Sequence, residues 1–207
     1  MTYNPVPEPT LQIVVIGASA GGMNALTRLL PLLPENFPCP VVIVQHRHPD
    51  QDDFLAEYFN RLCPLRVKDA QDKEVLAPGV CYLAPADYHL LIERDRTLSL
   101  STDEKVNHSR PSIDVLFESA AVAFGQGVAA AVLTGASRDG AAGLSLIREA
   151  GGIAFVQDPS TAEYPFMPQA ALETAGADHV LPIEDIGGLL LHLANSSMHG
   201  NDTREIL

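Results

Sequence analysis

Four short apolar segments constrain the fold of this chain most. They are LQIVVIG (11–17), PVVIVQH (40–46), GVAAAVLTG (127–135) and IAFVQD (153–158). Uninterrupted apolar runs of this length are typical of strands that are buried on both faces. A helical spacing of apolar residues follows each run. Strands that alternate with helices predict a parallel, doubly wound sheet.

The middle of the chain departs from this alternation. Short strand-like pieces at 65–68, 80–84, 89–93 and 97–101 are separated by turn signals. No internal repeat and no second domain is visible. We therefore expect a single-domain, three-layer α/β fold, doubly wound and mostly parallel, with a short antiparallel excursion at about residues 80–101.

The predicted helices have recognisable faces and starts. Residues 53–62 predict a helix with one apolar face, which consists of Phe54, Leu55, Tyr58, Phe59 and Leu62. Residues 110–124 predict a helix that Ser112 caps. A third helix is predicted from Asp139 to Ala150, and a final one over 184–194.

Charge and composition exclude several classes of protein. The 207 residues include 13 Lys and Arg against 26 Asp and Glu, and the formal net charge of −13 argues against nucleic-acid binding. No apolar run is long enough to span a membrane, and the first ten residues do not form a signal peptide. We expect a cytoplasmic protein with a flexible leader (1–10), one folded domain (11–195) and a polar tail (196–207).

Ser19 lies in the sequence Gly-Ala-Ser-Ala-Gly (17–21), between the first predicted strand and a helix. This matches G-x-S-x-G, in which a sharp strand-to-helix turn exposes a nucleophilic serine. Two other interpretations are open at this point. A glycine-rich turn after the first strand also binds dinucleotides, and a serine here can simply cap the helix.

His46 ends the second predicted strand, and Asp139 follows the third of the four apolar segments. An imidazole at a strand end suits a general base, although a solvated loop histidine such as His48 is the simpler alternative. A carboxylate at 139 can orient a histidine or cap the helix that starts at Gly140. These two roles are compatible, because a carboxylate has several acceptor positions.

The three residues together are stronger evidence for an active site than any one of them alone. The carboxyl ends of parallel strands meet at one edge of the sheet, so Ser19, His46 and Asp139 are predicted to lie close together as a Ser-His-Asp triad. A nicotinamide cofactor is disfavoured, because Gln45 and His46 stand where that fold needs an acid. The segment TGASRDG (134–140) is similar to a cofactor turn, but the carboxylate of Asp139 would repel a pyrophosphate.

The chain resembles the catalytic domain of the chemotaxis protein-glutamate methylesterases of the CheB type over roughly residues 11–190. The matching blocks are VVIGASAGG (14–22), VQHRHP (44–49), RPSIDVLF (110–117), LTGASRDGAAG (133–143), VQDPSTAEYPFMPQAA (156–171) and ADHVLP (177–182). The resemblance implies that Ser19 is the nucleophile, His46 the base and Asp139 its orienting partner. It also implies that the main-chain amides of Ala20 and Ala136 bind the oxyanion. Neither a cofactor nor a metal is expected.

The chain departs from the family pattern at several positions. Ala136 and Ser137 replace Met and Gly in the second loop, and a glycine there would matter if the position needed positive φ. Phe166 and Gln169 replace Gly and Arg of a later block. Many relatives also carry an N-terminal receiver domain, and a leader of ten residues cannot supply one.

The resemblance implies that the chain hydrolyses glutamyl methyl esters on the cytoplasmic domain of methyl-accepting chemoreceptors, and that it deamidates receptor glutamine. A separate response regulator or a methyltransferase is a further implied partner. Two rival hypotheses remain: a catalytically weak regulatory module that binds a signalling protein, and a small-molecule esterase. Labelling of Ser19 by a fluorophosphonate probe distinguishes an enzyme from a binding module.

Overall fold

The computed structural model describes residues 10–47 and 54–199 of the chain. Of the predicted leader only Thr10 is among them, and the predicted helix start at Asp53 lies outside them. Within the described ranges, no helix is both long enough and apolar enough to cross a membrane.

A parallel sheet of seven strands forms the middle of the molecule. In chain order, the strands of this sheet and of a separate two-stranded one are β1 (Ile13–Ala18), β2 (Val41–Gln45), β3 (Arg66–Asp69), β4 (Val80–Leu83), β5 (His89–Ile92), β6 (Leu98–Ser101), β7 (Val128–Val132), β8 (Ile153–Gln157) and β9 (His179–Leu181). The order across the sheet is β3-β4-β2-β1-β7-β8-β9, and β5 and β6 stand apart. The central strands β1, β2 and β7 are buried throughout. Burial on both faces explains their continuous apolar sequences.

Helices cover both faces of the sheet. They are α1 (Gly22–Leu29), α2 (Leu55–Leu62), α3 (Ile113–Phe124), α4 (Ala141–Glu149), α5 (Phe166–Thr174) and α6 (Ile183–His199). Buried side chains of α1, α2 and α6 form the core on one face. Those of α3, α4 and α5 form the core on the other. The predicted single-domain, three-layer α/β fold is confirmed.

β5 and β6 form a separate antiparallel hairpin in which His89 lies opposite Ser101. The hairpin packs on α3 and does not extend the main sheet. The antiparallel part is therefore present but begins later than residue 80, because β4 pairs in parallel with β2 and β3. Since β4 is almost wholly buried, its side chains suit the interior of a parallel sheet.

The apolar stripe predicted on α2 exists, but most of it faces solvent. Only Phe59 is fully buried, whereas Phe54, Tyr58 and Leu62 have relative exposures of 64%, 44% and 43%. A stripe of this kind usually packs into the core. Here Phe54, Tyr58 and Leu62 line an open groove. Among the described residues, Glu57 and Arg61 also line it.

Two helix limits differ from the predicted ones. α4 begins at Ala141 and not at Asp139, because Gly140 is its N-cap with a φ of 93°. α6 continues to His199, so the segment predicted as a polar tail begins inside a helix. Element ends of this kind are the least certain part of any sequence-based prediction.

Candidate active site

Ser19, His46 and Asp139 follow three neighbouring strands, β1, β2 and β7. β1 is paired with both others: its last residue, Ala18, pairs with Gln45 at the end of β2, and Gly17 pairs with Val132 at the end of β7. The three side chains consequently reach the same rim of the sheet, where doubly wound folds bind their ligands. The structure brings together the three residues that the sequence analysis selected.

Hydrogen-bond distances join the three side chains in a row. His46 Nδ1 lies 3.2 Å from Ser19 Oγ, and His46 Nε2 lies 2.8 Å from Asp139 Oδ2. With a proton on Nε2 donated to Asp139, the lone pair of Nδ1 faces the serine hydroxyl. The imidazole therefore has the orientation that a general base for Ser19 requires. The side chain of His46 is 14% exposed, and that of Asp139 is fully buried.

The turn at Ser19 depends on the two glycines that follow. Gly21 has a φ of 74° and is the N-cap of α1, so Ser19 does not cap that helix. Ser19 N donates to Thr134 O at 3.0 Å, and Gly22 N donates to Ser19 O at 2.8 Å. These bonds fix the main chain of the turn while the hydroxyl stays free to face His46.

Gln45 links the turn at Ser19 to His46. Its Nε2 donates to Ser19 O at 2.9 Å and to His46 O at 2.8 Å. Its Oε1 lies against Gly22, where a Cβ would come within 1.9 Å of it. Only glycine at position 22 leaves room for this arrangement.

The carboxylate of Asp139 accepts four hydrogen bonds besides the one from His46. Ile113 N donates to Oδ2 at 2.7 Å; Oδ1 accepts from Ser112 Oγ at 2.7 Å, Asn107 Nδ2 at 2.9 Å and Asp114 N at 3.1 Å. Burial by itself would raise the pKa of Asp139. The hydrogen bonds from His46 and these other donors outweigh burial and lower the pKa below its ordinary value.

Two predicted helix caps are therefore wrong. Asp139 does not cap α4, which follows it, but contacts the first amides of α3. The hydroxyl of Ser112 does not cap α3 either, because it donates to Asp139 instead. The free amides at a helix start favour an anion, and the carboxylate of Asp139 supplies that anion from another part of the chain.

Ala20 and Ala136, the predicted oxyanion donors, lie in the two loops beside Ser19. Within the described residues, neither main-chain amide donates to a protein acceptor. The two loops touch, since a Cβ on Gly135 would come within 2.9 Å of Ser19 Cβ. Ser137 is not among the residues with positive φ, so the serine that replaces the family's glycine causes no backbone strain.

The loop after β7 is fixed by the segment that leads into α5. Gly135 N donates to Tyr164 O, and Met167 N donates to Gly135 O, each at 3.0 Å. Thr134 Oγ1 accepts from Tyr164 N at 2.8 Å and donates to Ala20 O at 3.0 Å. Thr134 thus connects both candidate oxyanion loops.

A cavity of about 320 Å³ opens beside the imidazole. Among the described residues its lining consists of Met23, Gln45, His46, Arg47, Phe54, Leu55 and Tyr58. It shares Phe54 and Tyr58 with the groove along α2. Elsewhere in the described ranges, no group of three or more His, Cys, Asp or Glu side chains is arranged to hold a metal ion.

Three further residues that hydrogen-bond to the residues or loops of the site were not predicted from the sequence. Asn107, Gln45 and Thr134 act through contacts with residues far away along the chain, and no short motif marks such contacts. One signal was present, because Gln45 immediately precedes a histidine at a strand end.

Comparisons with known proteins show which proteins the chain is similar to. A Leptospira interrogans protein named for protein-glutamate methylesterase and protein-glutamine glutaminase activities is 46% identical over 187 residues, covering 90% of this chain and 97% of the relative. Protein-glutamate methylesterase/protein-glutamine glutaminase 2 of Pseudomonas aeruginosa is 40% identical over 195 residues, 93% of this chain and 56% of the relative. The chain therefore spans little more than half of that second protein.

The fold matches a solved structure as well. The crystal structure of the CheB methylesterase catalytic domain of Thermotoga maritima aligns with a TM-score of 0.85 and 36% identity, covering 88% of this chain and 98% of that one. The family model described as CheB methylesterase matches residues 14–190. The chain belongs to the CheB methylesterase family.

Proposed function

We propose that this chain hydrolyses glutamyl 5-O-methyl esters on methyl-accepting chemoreceptors through an acyl-enzyme. The observation that carries the proposal is the row of hydrogen bonds from Ser19 through His46 to Asp139 at one rim of the sheet. The names of the relatives support the same substrate class.

In the first half-reaction, Ser19 Oγ attacks the ester carbonyl and His46 Nδ1 accepts the hydroxyl proton. The tetrahedral intermediate carries its negative charge on the former carbonyl oxygen. The intermediate then collapses, the imidazolium returns the proton to the leaving oxygen, and methanol departs. The glutamyl side chain remains bound to Ser19 as an ester.

In the second half-reaction, water attacks that ester while His46 accepts its proton. Collapse of the second intermediate returns the proton to Ser19 Oγ and releases the glutamate carboxylate. Deamidation of glutamine follows the same steps with ammonia as the leaving group. Apart from the ester or amide substrate and water, no other reactant is needed. The buried, ionised Asp139 acts only by fixing the imidazole and stabilising its charged form.

The amides of Ala20 and Ala136 are the proposed oxyanion donors. Main-chain donors of this kind are worth about 3 kcal/mol each in the transition state. Both amides lack a protein acceptor in the described part of the chain, so no internal hydrogen bond has to break before they bind the intermediate.

The cytoplasmic domain of a chemoreceptor is the proposed protein partner. The cavity beside His46 continues into the apolar groove along α2. A protein segment that presents a side-chain ester to Ser19 would lie over both. A separate response regulator or a methyltransferase is a further proposed partner, and the cytoplasm is the proposed location.

Methanol release from methylated receptor tests the function directly. Ser19→Ala should abolish release, whereas a change of the exposed Ser196 on α6 to Ala should leave it unchanged. A fluorophosphonate probe should label Ser19 in the unmodified chain. Absence of labelling would instead favour the binding-module hypothesis, and faster turnover of p-nitrophenyl acetate than of receptor would favour a small-molecule esterase.

A further inference from the structure

Asn107 occupies an exposed two-residue turn close to the buried carboxylate of Asp139. Val106 and Ser109 exchange main-chain hydrogen bonds of 3.2 and 2.9 Å. The two residues between them, Asn107 and His108, have φ of 51° and 62°. A tight hairpin turn of type I′ needs positive φ at both central positions, and asparagine tolerates this conformation better than most residues.

The side chain of Asn107 reaches from this turn to two carboxylates. Its Nδ2 donates to Asp139 Oδ1 at 2.9 Å and to Asp114 Oδ2 at 2.7 Å. An amide nitrogen has two hydrogens, so both are used, one for each carboxylate. Nothing in the proposed chemistry assigns a role to either Asn107 or Asp114.

Asp114 brings a second negative charge close to Asp139. Its Oδ1 accepts from Gly143 N at 2.7 Å. Burial raises the pKa of Asp114; the amide of Gly143 partly offsets that effect, and the charge of Asp139 raises the pKa further. Two neighbouring carboxylates in such a site tend to share a proton unless donors separate them.

We propose that Asn107 is a positioning residue that separates the two carboxylates and keeps Asp139 ionised and aligned with His46. The role rests on the proposed function, because it acts on the reaction only through Asp139. Without the amide, the pair gains a proton more readily, and a protonated Asp139 cannot stabilise the imidazolium. Among the described residues, His46 is the ionisable group that hydrogen-bonds to the pair. The other donors are the amide of Asn107, the hydroxyl of Ser112 and main-chain amides.

The turn allows a well-matched set of variants. Asn107→Gly removes the amide but retains positive φ, which glycine adopts freely. His108→Gly makes the same change at the neighbouring position and serves as the control. Asn107→Asp replaces the donor by a third carboxylate. Because both turn residues are exposed, none of these changes leaves a hole in the core.

Steady-state kinetics and the labelling rate of Ser19 are the first readouts. Asn107→Gly should lower kcat about tenfold, the size expected for a lost hydrogen bond to a charged group, with KM unchanged. The acid limb of the pH profile should move to higher pH, and further in Asn107→Asp. His108→Gly should match the unmodified chain. If Asn107→Gly matches it as well, the proposal is overturned.

A second variant separates positioning from a general structural effect. In an Asp114→Asn background only one carboxylate remains, so Asn107→Gly should then cost much less activity and should not shift the acid limb. Equal losses in both backgrounds would contradict the proposal. Carboxyl ¹³C titration by NMR is independent of turnover: the pKa of Asp139 should be higher in Asn107→Gly. If the fluorophosphonate probe does not label Ser19 in the unmodified chain, only the proposed function is refuted. The NMR titration still decides the role of Asn107 in that case.

Discussion

Asp139 accepts a hydrogen bond of 2.7 Å from the main-chain amide of Ile113, the first residue of α3. The carboxylate that contacts His46 thus also satisfies the start of a helix to which it does not belong. The same Oδ2 atom receives both bonds. Any change of Asp139 should therefore affect both His46 and α3.

Asp139→Asn should lower kcat by a factor of about 10³–10⁴, as loss of the orienting carboxylate does in other serine hydrolases. The new amide cannot accept from every donor that surrounds it, and it favours the wrong imidazole tautomer. Ester hydrolysis and Ser19 labelling measure the effect. The matched control is Asp103→Asn on an exposed segment; a rate within threefold of the unmodified chain for both variants would contradict the prediction.

The raised pKa of Asp114 predicts how its contribution to stability changes with pH. The pKa of Asp114 is higher in the folded state than in the unfolded state, where it is about 3.9. Its stabilising contribution to folding is therefore complete below the unfolded-state pKa. It is lost as the pH rises through the folded-state pKa. Asp114→Asn lacks this loss, so its free energy of unfolding relative to the unmodified chain should increase from pH 3 to pH 7. Urea unfolding across that range measures the difference, and a difference that is independent of pH would refute the assignment.

Gly22→Ala should disturb the site through Gln45. The added methyl group would lie 1.9 Å from Gln45 Oε1, so the side chain must move and its hydrogen bonds to Ser19 and His46 would break. We expect kcat to fall by at least tenfold, since each such bond is worth about 1 kcal/mol.

Gly188→Ala is the control for this change. A Cβ on Gly188 would meet no atom within 4 Å, and the residue is exposed on α6. Replacement should stabilise the chain by about 0.5–1 kcal/mol and leave kcat unchanged. Thermal unfolding and kinetics on both variants check the pair; full activity in Gly22→Ala would show that Gln45 does not position the site.

Leu62→Ser should weaken the use of a protein substrate while sparing a small ester. Leu62 lines the groove but not the cavity beside His46. We expect KM for methylated receptor to rise about fivefold, a typical cost for truncating an apolar contact residue, with p-nitrophenyl acetate turnover unchanged. Val122→Ser, at an exposed apolar position on α3, is the control. Equal KM values for all three proteins would remove the groove from substrate binding.

The sequence predicted the sheet and the placement of Ser19, His46 and Asp139 because buried strands have a strong signature. The predicted segments that end at residues 17, 46 and 135 correspond to β1, β2 and β7, which end at Ala18, Gln45 and Val132. Parallel pairing brings those ends to one rim.

Other features had no local signature. The contact of Asn107 with Asp139 joins a turn to a distant loop, and nothing in the spacing of apolar residues encodes it. The face of α2 has the same pattern whether it borders the core or an open groove. Ser112 follows the rule for a helix cap, yet its hydroxyl donates to the stronger, charged acceptor, Asp139.

The central position of β1 has a consequence for synthesis on the ribosome. β1 emerges well before its second neighbour, β7, which begins only at Val128. Until then the nascent chain carries a strand with an open edge, which is the kind of edge that promotes aggregation. Prematurely terminated products that end before Asp139 would lack both the finished sheet and the carboxylate, and they should be inert and short-lived.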